Sequence, residues 1–189
     1  ELVFLLEEPS ARALREGLLP RLLTAEFSVR YIVFQGKQDL DRQLVRRLRG
    51  YRTPAARFVV LRDQDTADCR AVKNALRNKC EEAGRRDVVI RIACHELESW
   101  YLADLAAVEK GLKIAGLGAK QNHKKLRAPD SHPNASEERG KLTNREYQNI
   151  SGSRAIGPHL RLDNARSPSF AAFVTGLRRL VDRNDDPPP

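Results

Sequence analysis

Four short apolar runs alternate with three helix-patterned segments, and this alternation limits the fold more than any other feature of the chain. The runs are Leu2–Leu6, Val29–Phe34, Phe58–Leu61 and Val88–Ile92. Nearly unbroken aliphatic and β-branched stretches of this length read as strands covered on both faces, as in a parallel sheet. After the first run, Pro9-Ser10 opens a helix with Leu14, Leu18 and Leu22 at helical spacing, which Pro20 should kink or end. After the second, Gln35-Gly36 breaks the strand. Leu40, Leu44 and Leu48 then form a stripe whose outer face carries Arg42, Arg46, Arg47 and Arg49. After the third, a helix from about Asp68 to Ala83 should bury Val72, Ala75 and Leu76, with Cys69 and Cys80 beside them, and Gly84 stops it. Strand and helix in strict alternation predict an α/β domain, a parallel sheet with helices on both faces.

The rest of the chain divides by composition. Residues 1–112 hold the α/β core. Residues 113–150 are polar, broken by Gly116, Gly118, Pro129, Pro133 and Gly140, with seven Lys/Arg between Lys120 and Arg145. They read as a basic loop or insertion. Residues 151–183 regain order. There Ser167-Pro168 starts a helix whose stripe Phe170, Phe173, Val174, Leu177, Leu180 and Val181 should pack on the core, and 184–189 form a tail. With 189 residues, one domain with an appendage is expected. No apolar run approaches the roughly 20 residues of a membrane span. Leu2–Leu6 is too short for a secretory signal and has acids rather than bases beside it. Cys69, Cys80 and Cys94 lie 11 and 14 positions apart, and His95, His123, His132 and His159 show no ligand spacing. The cysteines therefore read as buried thiols of a reducing cytoplasm, with zinc disfavoured. A net charge of +9, from 34 Lys+Arg against 25 Asp+Glu, makes polyanions the natural class of partner.

Three of the four strand candidates end in acids: Glu7 and Glu8 after the first, Asp63 and Asp65 after the third, Glu96 and Glu98 shortly after the fourth. In a parallel sheet those ends lie on one rim, where open α/β sheets usually bind ligands. Carboxylates gathered there repel one another, and a hard divalent cation is the simplest offset. Taken alone, the Asp-x-Asp reads better as a surface turn with one Asp capping the next helix. Trp100 and Tyr101, at helical spacing beside Leu97 and Leu102, read as core rather than as base-stacking residues, and Ser167 as a cap rather than a nucleophile.

A Glu closing the first strand and Asp-x-Asp closing the third resemble the Toprim domain of topoisomerases, primases and related nucleases. More closely, residues 1 to about 105 together with 150–182 resemble a bacterial family of Toprim-like proteins often encoded beside an ABC-type ATPase in phage-defence loci. The stretches that carry the likeness are Phe4–Glu7, Gly36–Leu40, Val60–Asp65, Glu96–Asp104, Ser151–Ile156 and Arg166–Phe170. The resemblance implies a Toprim-like parallel-sheet core with a C-terminal helical addition. It also implies a Mg²⁺- or Mn²⁺-dependent nuclease cutting DNA or RNA such as tRNA, partnered by an ABC-type ATPase, cytoplasmic, in no membrane, with homo-oligomerisation open. Glu7 falls on the Toprim glutamate, with an acid/base or metal role, and Asp63 and Asp65 fall on the metal-binding pair. Glu98, with Glu96 beside it, has a positional counterpart in nucleases of the overcoming-lysogenization-defect type, where a further acid completes a second metal site. Where Toprim domains usually follow the glutamate with Gly, this chain has Glu8. Lys37, Arg62 and Arg154 are the expected phosphate clamps, and Lys37 also begins a helix.

Three rival readings have different signatures. A non-catalytic module on the same fold would bind nucleic acid or the ATPase without cleaving. A phosphorylated receiver domain would need a Lys ending a fifth strand, which is not legible here, and a haloacid-type phosphatase would place Asp-x-Asp after the first strand.

Overall fold

The computed structural model describes residues 1–23 and 27–182; the tail at 184–189 lies outside them. The strands form where the apolar runs predict: β1 (Leu2–Leu6), β2 (Val29–Val33), β3 (Arg57–Asp63) and β4 (Val89–Ala93). They make one sheet in the order β2-β1-β3-β4, with every pairing parallel. β1 is central and fully buried, which is why all five of its residues are apolar. Leu6 pairs with Val33 on one side and Leu61 on the other, and Asp63 pairs with Ala93. The carboxyl ends of all four strands therefore lie together.

The helices following the first three strands cover two faces. α1 (Pro9–Leu18) packs on one face, and α2 (Lys37–Arg49) and α3 (Cys69–Glu82) on the other. The apolar stripes are those of the sequence, except that Ala75 is exposed and Cys69 only half-buried, so α3 buries Val72, Leu76 and Cys80. Asp68, not an acid of the Asp-x-Asp, caps α3 by accepting the Ala71 N–H at 2.8 Å. Because β2 and β3 flank β1 on opposite sides, with their connecting helices on opposite faces, the chain reverses direction across the sheet between β1 and β3. That is the switch point where a crevice opens above the strand ends.

The remaining helices are α4 (Glu98–Leu102), α5 (Leu105–Leu112), α6 (Ala135–Leu142), α7 (Asn149–Ile156) and α8 (Pro168–Asp182). The α1 face carries most of this addition. Trp100 is core, its ring against Phe170 and Phe173 at 5.2 and 5.1 Å and its indole N–H donating to Ser169 Oγ at 2.8 Å. Ser167 is a helix cap, accepting the Phe170 N–H at 3.1 Å. α8 lies against β4, where Gly176 leaves room for the Arg91 guanidinium, which donates to Ala172 O at 2.8 Å. The turn after α7 meets α1 equally closely: a Cβ on Gly157 would stand 2.4 Å from Leu14 O.

The stretch 113–150, read from sequence as a loop, carries α6 and three short 3₁₀ turns, and buries Leu117, Leu126, Ala135 and Tyr147. Its apolar residues are too widely spaced to give a periodic pattern, so the sequence shows only the polar ones between them. Among the described residues no helix is long and apolar enough to cross a membrane.

Candidate functional site at the sheet rim

Glu7 is the first residue beyond β1 and Asp63 the last of β3, so the two stand on either side of the switch point. They are linked directly, with Glu7 Oε2 accepting the Asp63 N–H at 3.0 Å. Glu7 also anchors the next turn, since its carbonyl accepts the Gly36 N–H at 3.0 Å just before α2. Gly36 sits at φ +89°, a conformation that permits this turn without Cβ strain. Both residues are half-buried. Burial raises the Glu7 carboxyl above its ordinary value, opposed by the Asp63 N–H and reinforced by the charge of Asp65. Asp63 is pushed well up, first by burial and then by the charges of Glu8, Glu7 and Glu98, against one hydrogen bond from the Leu97 backbone. Among the described residues neither Glu7 nor Asp63 forms an ion pair.

The other acids are already engaged. Asp65 Oδ2 accepts from Lys37 Nζ at 2.9 Å, which raises the lysine's pKa. Glu98 is buried and accepts from Arg139 Nη1 at 2.5 Å, while burial lifts its carboxyl despite that charge. Glu96 accepts the Ser136 N–H at 2.7 Å, tying down the start of α6. Glu8 pairs with the Ser10 hydroxyl. Among the described residues no three His, Cys, Asp or Glu side chains gather closely enough to hold a metal ion as placed.

The expected clamps separate in the same way. Lys37 is at the rim. Arg62 turns aside to Asp41 Oδ2 at 3.0 Å, on the α2 side. Arg154 donates to Glu16 at 3.4 Å. Glu16 lies seven residues along α1 from Pro9, roughly 10 Å down the helix from the rim at ~1.5 Å per residue. Lys37 therefore pairs with a rim acid, Arg62 acts on Glu7 only through its charge while bound to Asp41, and Arg154 lies away from the rim.

Three participants escaped the sequence reading: Gln64, His95 and Arg15. The first two, with Asp65, knit the turns after β3 and β4. The Asp65 N–H donates to His95 O at 2.8 Å, the His95 N–H to Gln64 Oε1 at 3.2 Å, and His95 Nδ1 lies 3.2 Å from Asp65 O. Asp65 and His95 adopt φ of +56° and +57°, sparsely populated for non-glycine residues, and both lie in this cross-link. The remaining participant is Arg15, wholly buried on α1, its guanidinium 5.5 Å from the Phe4 ring and 5.3 Å from the Phe173 ring. It donates to Ala11 O, while Nε and Nη2 find no partner among the described residues. Burial lowers its pKa to about 9, and the Asp63 charge acts against that fall. Its position on the arc of Ala11, Leu14 and Leu18 was the available signal.

The arrangement defines a doubly wound parallel α/β domain with an acidic pair at its switch point. Residues 6–178 match the family described as Domain of unknown function (DUF4276), and the chain belongs to that family. No curated protein and no solved structure matches it.

Proposed function

We propose that this chain is a Mg²⁺- or Mn²⁺-dependent nuclease of Toprim type, hydrolysing phosphodiesters at the rim between β1 and β3. The observation that carries the reading is the Glu7–Asp63 pair: two adjacent carboxyls from separate strands, both raised, both without an ion-pair partner among the described residues. The donor set suits a hard cation. Mg²⁺ is commonly held by one or two carboxylates, with water and substrate phosphate completing its shell. Glu7 and Asp63 would hold it; Asp65 would join them on giving up Lys37, whereas Glu98 is committed to Arg139. When bound, such an ion supplies Lewis-acid charge to the phosphate and acidifies water. The protein's own part is to fix the two carboxyls, through the Asp63 N–H bond to Glu7, and to offer Lys37 to a phosphate oxygen. The basic surplus of the chain suits a nucleic-acid backbone and reads no sequence. The likeness to defence-locus proteins extends the proposal to the effector of an ATPase-coupled anti-phage system.

A second reading keeps the fold as a binding module for nucleic acid or the ATPase. It is favoured by the ion pairs that already neutralise Asp65 and Glu98. Supercoiled plasmid and total tRNA, incubated with Mg²⁺ or Mn²⁺, separate the two. Cutting by the wild type that is lost in Glu7→Gln and Asp63→Asn supports the nuclease. Absence of cutting, with nucleic-acid retention unchanged in both variants, supports the module.

A further inference from the structure

β2 closes the sheet on one side, and among the described residues only β1 pairs with it. The Ser28 carbonyl accepts from Leu2 at 2.9 Å, and the Phe34 N–H donates to Leu6 at 2.8 Å. Backbone groups alternate sides along a strand, so Arg30 and Ile32 also face β1. Val29, Tyr31 and Val33 therefore turn their N–H and C=O groups to the open edge. The two faces beside that edge differ. Toward α1, Val29 and Tyr31 join Leu19, Leu23 and Phe27 around a mainly apolar cleft of about 500 Å³. Its charged wall residues are Glu16, paired with Arg12 at 2.8 Å, and the buried Arg15. Toward α2, Arg30, Arg46 and Arg47 line a second cleft of about 440 Å³ with Gly50 and Tyr51. Arg30 shares Glu1 with Tyr51, and Arg46 donates to the neutral Gln43 at 2.8 Å. Among the described residues neither Arg46 nor Arg47 forms an ion pair.

We infer that β2 is a docking edge for an extended acidic segment of a partner protein, one in which apolar and acidic residues alternate. Such a segment adds to the sheet as a further strand, its main chain bonding to Val29, Tyr31 and Val33. Successive side chains of a strand point to opposite faces. One set would therefore enter the cleft of Leu19, Leu23 and Phe27, and the other would meet Arg30, Arg46 and Arg47. The second cleft selects the occupant, because three arginines, with only Glu1 paired to one of them, complement carboxylates. A second copy of this chain fits less well. Antiparallel pairing of two β2 strands would set the arginines of both copies on one face, like charge beside like. A nucleic-acid backbone would engage the arginines and leave the strand edge and the apolar cleft unused. The inference does not depend on the nuclease reading, since Arg46 and Arg47 stand at the far end of α2 from Lys37 and the rim.

The test uses the full chain and a short fluorescein-labelled peptide that alternates glutamate and valine. Fluorescence anisotropy should show binding. Amide exchange followed by NMR should show the Tyr31 and Val33 N–H groups, open in the free protein, protected in the complex. A peptide with the same residues in two blocks, or with lysine in place of glutamate, should bind roughly tenfold more weakly or worse. Arg46→Glu with Arg47→Glu should reverse the preference toward the lysine peptide, and because both side chains are exposed the change leaves the core intact. Binding that leaves the two amides unprotected would overturn the inference, as would equal binding of the block peptide or no binding at roughly 1 mM peptide. Duplex DNA that binds more tightly than the peptide, and loses that binding on the same charge reversal, would assign the cleft to nucleic acid instead. A dimer whose Tyr31 and Val33 amides are protected before peptide is added would assign the edge to a second copy.

Discussion

Replacing Arg15 by Met should stabilise the protein, although it removes a charged side chain from the core and leaves the shape nearly unchanged. Lowering the guanidinium from its ordinary value to about 9 corresponds to roughly 5 kcal/mol of unfavourable interaction at ~1.4 kcal/mol per tenfold change in proton affinity. Against that stand two aromatic faces, at about 0.5–2 kcal/mol each, and one hydrogen bond to Ala11 O from a side chain whose Nε and Nη2 go unpartnered among the described residues. Methionine fills a similar volume and keeps contact with Phe4 and Phe173. Buried charges replaced by apolar isosteres commonly gain about 1–4 kcal/mol, and a gain of about 1–3 kcal/mol is expected here. Urea unfolding would read it as a raised midpoint with an unchanged slope. The pH dependence fixes the sign. Between about 9 and the ordinary arginine value the unfolded chain binds the proton that the folded one has lost, so wild-type stability rises with pH across that window. The advantage of Arg15→Met should therefore be constant near neutrality and shrink above about pH 9. A loss of more than ~1 kcal/mol at neutral pH would refute the reasoning, because the aromatic contacts would then outweigh desolvation.

Asp63→Asn should also stabilise near neutral pH. A carboxyl raised in the folded state makes the folded chain bind more protons, so the penalty grows as pH climbs above the ordinary 3.8 and fades below it. Urea midpoints at neutral and acid pH measure this, and a larger gain at the acid end would contradict it. Under the proposed function, Mg²⁺ should raise the melting temperature of the wild type and leave that of Asp63→Asn unmoved in thermal scans. Arg139→Met should cost about 3–5 kcal/mol by stranding buried Glu98, and Glu98→Gln in the same background should recover part of it in a double-mutant cycle. Gly157→Ala should cost about 1–3 kcal/mol in the same denaturation assay, because its Cβ meets the backbone carbonyl of Leu14 rather than a side chain that can turn away.

The sheet and its flanking helices were legible because their apolar residues recur at the spacing the backbone imposes: five in succession for β1, every fourth for the α2 stripe Leu40, Leu44 and Leu48. The rim was legible for the same reason, since Glu7 and Asp63 need only lie at the ends of recognisable strands. Partnership was not. Arg62 and Arg154 have the charge for phosphate, and only the fold shows the first turned to Asp41 and the second two turns down α1. Arg139 offered no signal at all, because it reaches Glu98 across 41 positions from a segment without periodicity. Cys94 read as a buried thiol from the spacing of the cysteines, yet it lies one residue past the end of β4 and is half-exposed.

The central place of β1 also bears on how the chain emerges from a ribosome. Its neighbour β3 lies about 55 residues later, so at ~5–20 residues per second the two strands are synthesised roughly 3–11 seconds apart. For that interval five consecutive apolar residues have at most one of their two strand neighbours available. β2, half-buried and carrying Arg30, is made in between and can shield one edge early. The other edge stays open until the Glu7–Asp63 link can form, so nascent-chain aggregation, if it occurs, should start at this strand and end when residue 63 clears the exit tunnel.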